Sequence, residues 1–297
     1  MGSVVSRCRR VEVVDQIWEV EHMSVTMAYL QDLSEADLSF VVKTIVDKRQ
    51  DHDHICNLLK DKPDLVEIML EDEKLFQRVN EEENIFLKIS PFLLLTILIQ
   101  QTKREMETRS YTMEIIGQRR QVPIFDAKAA VALIQNNNIR AYLARMLASF
   151  TRVDSTTVVY RARGLTYQRH FSEFDFDDVL ELAGLVELPY RYDFYKRLAD
   201  ISLFITGIFP ECLPGSKGGN AQLPEKHIGH SGRTLRDYEK DGRKYYDLAS
   251  TYDEAKEQGL DQVLSQLAEN FTIIRKPLNY LATNLMSKRH KDWFINP

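Results

Sequence analysis

Cysteine is scarce in this sequence. Cys8, Cys56 and Cys212 are far apart, odd in number and form no Cys-x-x-Cys pair. Such a set argues against a disulfide framework and a zinc ribbon, and it fits a reducing, cytoplasmic setting. Long apolar runs are missing as well. The longest, PFLLLTILI at 91–99, is about half of the ~20 residues a helix needs to cross a bilayer. It reads as a buried core helix, and no membrane is expected as a partner. No apolar segment of signal-peptide type follows the start, which argues against secretion. There is no alternating strand–helix–strand pattern and no glycine-rich strand-to-helix turn to cradle a phosphate. No internal repeat or low-complexity tract is found, and neither a cofactor nor a metal is expected.

What is present suffices for a full-sized core. The 297 residues are 44% hydrophobic and 28% charged, within the range of a globular protein of one large domain or two ordinary ones. The net charge of −5 does not suit a general polyanion binder. The charge is unevenly spread, however. Residues 101–170 hold twelve Lys and Arg against five Asp and Glu, a surplus of seven, so the remainder carries −12.

Four stretches follow from the pattern. Residues 1–22 read as a flexible tail. Its start, MGSVVSRCRR, fits a myristoylation pattern that short sequences often match by accident. Residues 23–109 form a helical part. Ser34 with Asp37 makes a capping box, Leu38, Val41, Val42, Ile45 and Val46 recur at helical spacing, and Asp51 stands at a second helix start. Ser90 caps a long helix over 90–109, with Pro91 in its first turn.

Residues 110–173 form a basic part of hairpin, two helices and hairpin. The first hairpin turns around Gly117, the helices run from Asp126 to about Leu133 and over 139–150, and the second hairpin turns near Gly164. Residues 174–297 form a second helical part. It holds a buried helix ending before Pro210, a Gly/Pro-rich loop to about Gly232, and two closing helices over 233–256 and 259–289, the second kinked at Pro277. The expected fold class is mainly α (α+β), with two β-hairpins in the middle of the chain that can pair into one small antiparallel sheet.

Several motifs invite chemistry. His-Ile-Gly-His at 227–230, inside KHIGHSGR, is similar to the nucleotide-site signature of class I aminoacyl-tRNA synthetases, and LMSKR at 285–289 to their lysine loop. In that family the first element follows a buried strand. Here it follows the polar GSKGGNAQLPEK, so the better reading is a loop end in which Ser231 caps the next helix. In QDHDHICNLL, His52 and Cys56 share a helix face, but two ligands fall short of the four a structural zinc takes. Cys212, His227, His230 and Arg233 fall in one long loop and form a candidate loop site for an enzyme. Tyr238, Tyr245, Tyr246 and Tyr252 line a helix whose phenols are expected to reach water or a core acceptor such as Asp200.

The basic stretch offers Arg119, Arg120, Arg140, Arg145, Arg161, Arg163 and Arg169 as nucleic-acid-binding candidates. Its order of elements resembles winged helix-turn-helix DNA-binding domains over about 50 residues. The resemblance implies a recognition helix in NIRAYLARMLASF and a wing in RARGLTYQRH. The leading expectation is a non-enzymatic cytoplasmic binding or scaffold protein, with a protein partner or self-association. A nucleic-acid binder using 110–173 and an enzyme using the 211–233 loop are the alternatives.

Overall fold

The computed structural model describes residues 32–82, 85–109, 112–116, 120–124, 127–151, 155–162, 165–214, 232–286 and 294. The expected tail, both hairpin turns and most of the 211–232 loop lie outside them. Among the described residues the protein is mainly helical.

The first four helices are α1 (Glu35–Ile45), α2 (His52–Lys60), α3 (Pro63–Leu70) and α4 (Glu73–Glu81), followed by α5 (Pro91–Glu107). α1 starts on the capping box read from the sequence: Ser34 and Asp37 bond each other's backbone amides. The Asp37 carboxylate does a second task. Its Oδ1 accepts from the Ser90 amide at 2.7 Å, at the cap of α5. Asp51 stands at the N-cap position of α2 but makes no side-chain cap bond there. Its carboxylate pairs with Arg49 at 2.6 Å instead. α5 follows the expected pattern, with the Ser90 side chain capping it and Pro91 at its start.

Next come α6 (Ala127–Ile134) and α7 (Asn137–Ser149), the second capped by Asn136. Strand segments flank them in pairs. β1 (Thr112–Ile116) runs antiparallel to β2 (Arg120–Ile124), and β3 (Ser155–Ala162) to β4 (Leu165–Ser172). The two ladders do not join, so the expected single small sheet is not formed among the described residues.

The C-terminal part contains α8 (Phe176–Leu185), α9 (Tyr192–Ile208), α10 (Leu235–Ser250), α11 (Asp253–Glu257), α12 (Asp261–Glu269) and α13 (Phe271–Tyr280). A π-helical turn over Leu281–Leu285 closes it. The expectation of two closing helices is corrected here to four. Tyr252 is extended, Gly259 has φ +65, and Asn270 leaves the helical region, so helices end at Ser250, Glu257 and Glu269. Only a residue without Cβ adopts the Gly259 conformation at little cost. Pro277 falls inside α13. α10 is capped by Thr234 and Asp237 in a second capping box. The expected cap, Ser231, lies three residues upstream and outside the described residues.

Buried side chains from Leu33 to Phe294 form one continuous cluster. α5 and α9 are its spine, since their middle turns are buried on every side. α6 and α7 pack on α5, α8 and α10 pack on α9, and α13 lies against α5, α6 and α9. The middle of the chain therefore contributes core helices rather than a separate basic layer. Among the described residues, no helix is long and apolar enough to cross a membrane.

Candidate functional site

Asp200 is the most deeply buried acid in the C-terminal half, 1% exposed, in the apolar run LADISLFITGIF. Three elements converge on it. Tyr142 on α7 donates to its Oδ1 at 2.6 Å, and Tyr246 on α10 donates to the same oxygen at 2.8 Å. Lys196, one turn earlier on α9, donates to Oδ2 at 3.0 Å and holds its ammonium 5.2 Å from the centre of the Tyr142 ring. The two phenol rings meet edge-on, 6.2 Å apart. The expected use of Asp200 as acceptor thus holds for Tyr246.

A lone carboxylate in such surroundings would be costly. Two phenols and an ammonium replace the water it lost. Burial, then the Asp200 charge, pushes both phenols well above the usual tyrosine range. Tyr192 is raised too, by burial and then by Asp193. Its hydroxyl donates to Gln258 at 2.8 Å.

These shifts predict an alkaline sensitivity. Unfolded phenols ionise near pH ~10, whereas the native ones keep their protons, so the native state binds more protons above that pH. Stability should be fully present below about pH 10 and fall as pH rises past it. Urea midpoints measured across that range should drop more steeply for the wild type than for Tyr246→Phe.

Of the basic candidates, Arg140 and Arg145 have described side chains. Arg140 is 3% exposed, and its guanidinium donates to the Ile134 and Gln135 carbonyls at 2.7 and 2.8 Å and pairs with Glu71 at 3.3 Å. It ties the end of α6 to α7 and the end of α3. Arg145 pairs with Asp32. Eight of the thirteen residues of α7 are buried. This corrects the expected recognition helix: α7 is a core helix, because its Ile139, Tyr142, Leu143, Met146 and Leu147 close the space beside α5. Arg120, Arg161 and Arg169 lie on strands. By register, Arg161 and Arg169 occupy positions of opposite parity on the second ladder. Arg119 and Arg163 lie outside the described residues.

Of the loop candidates, Arg233 and Cys212 fall among the described residues. Arg233 bridges Asp177 at 2.9 Å and Asp241 at 2.5 Å, and its guanidinium lies 4.1 Å from the Phe176 ring centre. It fastens the start of α8 to α10. Cys212 is half-buried in a short turn after α9. His227 and His230 lie outside the described residues. Among the described residues, no three His, Cys, Asp or Glu side chains converge at metal-binding range. His52 reaches the Val46 carbonyl at 3.0 Å instead.

Another feature is a corner between α8 and α9. Leu185, Leu188 and Tyr190 are 53%, 63% and 70% exposed. Residues Leu188–Tyr190 form a 3₁₀ turn begun by Pro189. Two side chains pin its backbone: Arg191 Nε donates to the Val186 carbonyl at 2.7 Å, and Tyr252 Oη donates to the Leu188 carbonyl at 2.8 Å. Leu188 and Tyr190 are thereby held in water on a fixed turn, with Leu185 exposed beside it at the end of α8. No family model, curated protein or solved structure matches this chain.

Sequence reasoning placed Tyr142 within the helix over 139–150 and missed both its bond to Asp200 and the role of Lys196. The signal available was an acid in an apolar helix with a lysine four residues before it. The corner has no local signal, because LPYRYDFYKRL carries helical spacing throughout. Pro189 and the Arg191 bond to Val186 set the break.

Proposed function

We propose that this chain is a non-enzymatic binding or scaffold protein, and that it meets a protein partner through the Leu185–Tyr190 corner. The observation that supports this reading is the exposure of Leu185, Leu188 and Tyr190 on a backbone pinned from both sides. Association costs ordering entropy, and a pre-set turn has less of it to lose. Tyrosine is among the residue types that carry most of the energy of protein contacts, and the two leucines beside Tyr190 add apolar area that excludes water. The Asp200 cluster then has a supporting role: it fixes α7, α9 and α10 relative to one another behind the corner.

The test compares partners recovered by the wild type and by Leu185→Asp/Leu188→Asp/Tyr190→Asp. All three positions are exposed, so the thermal transition should move by no more than about 2 °C, as expected for under ~1 kcal/mol in a chain of this size. Proteins retained by the wild type should be lost from the variant. A second variant, Leu65→Asp/Ile68→Asp, alters the exposed apolar positions on α3 and should keep them. Recovery of the same proteins by all three would refute the reading.

A further inference from the structure

The charge around the corner carries the reading further. Residues 181–193 hold Glu181, Glu187 and Asp193 against Arg191 alone. Tyr252 fastens the corner to the start of α11, and residues 252–258 hold Asp253, Glu254 and Glu257 against Lys256. The two flanking stretches therefore carry six acids and two bases. Glu181, Glu187, Asp193, Asp253 and Glu257 are exposed. Of the two bases, Arg191 turns inward to Val186 and Tyr195, and Lys256 pairs with Asp253 at 2.8 Å. The chain on both sides of the apolar anchors, and the stretch that Tyr252 ties to them, thus carries more acids than bases, an acidic rim in sequence terms.

Resting on the corner being a binding surface, we propose that its occupant is a segment of a partner protein that presents apolar side chains with lysine or arginine beside them. The anchors give a contact that excludes water, and the rim selects the sign of what surrounds it. Charges around an interface steer encounter and reject like-charged partners more than they add affinity. At physiological salt their reach is about 8 Å, so the rim acts while distant acids of the chain are screened. A segment ringed by carboxylates would bring like charges together here and be refused.

Fluorescence anisotropy with two synthetic amphipathic peptides tests this. Both carry the same leucine stripe; one has lysines and the other glutamates on the remaining positions. The full chain should bind the lysine peptide at least about tenfold more tightly than the glutamate peptide. Glu181→Lys/Glu187→Lys/Asp193→Lys should remove that preference. A control reversal at exposed acids on α1, α3 and α4, Glu35→Lys/Asp64→Lys/Glu81→Lys, should keep it. Leu185→Asp/Leu188→Asp/Tyr190→Asp should weaken both peptides.

Equal binding of the two peptides, still lost in the apolar variant, would overturn the charge inference and leave the binding surface standing. An equal effect of the rim and control reversals would overturn the inference too, since general charge would then explain the preference. Binding of neither peptide, or binding untouched by the apolar variant, would overturn both.

Discussion

Replacing Asp200 by alanine should destabilise the protein by about 3–5 kcal/mol, the usual cost of breaking a buried charged pair from one side. The substitution removes the acceptor of two buried phenols at once. Tyr142 and Tyr246 are 2% and 0% exposed, so neither hydroxyl finds water in place of the lost oxygen. Each buried donor left unpaired costs about 1–3 kcal/mol. Lys196 is about a quarter exposed and can turn to solvent, so its share is small. In a chain of this size the loss corresponds to a fall in Tm of about 5–10 °C. Asp200→Asn keeps an acceptor oxygen and should cost less than half as much. The triple change Asp200→Leu/Tyr142→Phe/Tyr246→Phe should recover much of the stability, because no donor is then stranded. Calorimetry and urea melts of the four proteins decide the matter. A triple variant no better than Asp200→Ala would show that packing volume, rather than unpaired polarity, sets the cost.

The second large effect is expected at Gly242 on α10. A Cβ at this position would stand 2.2 Å from Phe271 Cε2 and 2.5 Å from Cζ. Both distances are far inside van der Waals contact, and Phe271 is itself fully buried in the shared core. The ring cannot withdraw without pushing α13 away from α10. Alanine normally gains up to about 1 kcal/mol over glycine inside a helix. Here overpacking at about 1–3 kcal/mol or more opposes that gain and wins. Gly242→Ala should lower stability by about 2 kcal/mol, and Gly242→Val by more. Pairing Gly242→Ala with Phe271→Leu should return part of the loss. Gly184 on α8 is the internal control: it is exposed and a Cβ there meets nothing within 4 Å. Gly184→Ala should raise stability by about 0.5–1 kcal/mol. Denaturant midpoints moving the same way at both glycines would contradict this account. The neighbouring Arg243 explains why α10 cannot simply slide aside. Its guanidinium donates to the Glu269 carbonyl at 2.9 Å and to Thr272 Oγ1 at 2.7 Å, holding the α12–α13 junction in place.

Local features were legible in the sequence; relations between distant elements were not. The Ser34–Asp37 box, the Ser90 cap with Pro91, and the end of α9 before Pro210 depend on neighbours within a few residues. Their residue types announce them. The third bond of Asp37, to an amide 53 positions away, has no local signal. The same holds for Arg140. Its charge suggested a surface contact, but the carbonyls that end α6 and the carboxylate of Glu71 together make an interior seat for it. The winged-helix likeness rests on element order, which many folds share, and the burial that makes α7 a core helix has no signal in that order. Of the site, Asp200 was legible as an acceptor because an acid amid apolar residues needs donors. The corner was not, because helical spacing persists through a turn that two side chains from outside it enforce.

The shared carboxylate at Asp37 has a kinetic consequence. Helix ends ordinarily fray one by one, and each opening exposes only its own amides to exchange with solvent. Here one side chain closes the first turns of both α1 and α5, so releasing either start disturbs the other. Amide protons at the two starts should therefore exchange together, as one opening unit, although 53 positions separate Asp37 from Ser90 and three further helices lie between them. The outer helices α2, α3 and α4 are enclosed between those two points, so the N-terminal part should open as a block rather than peel from its end.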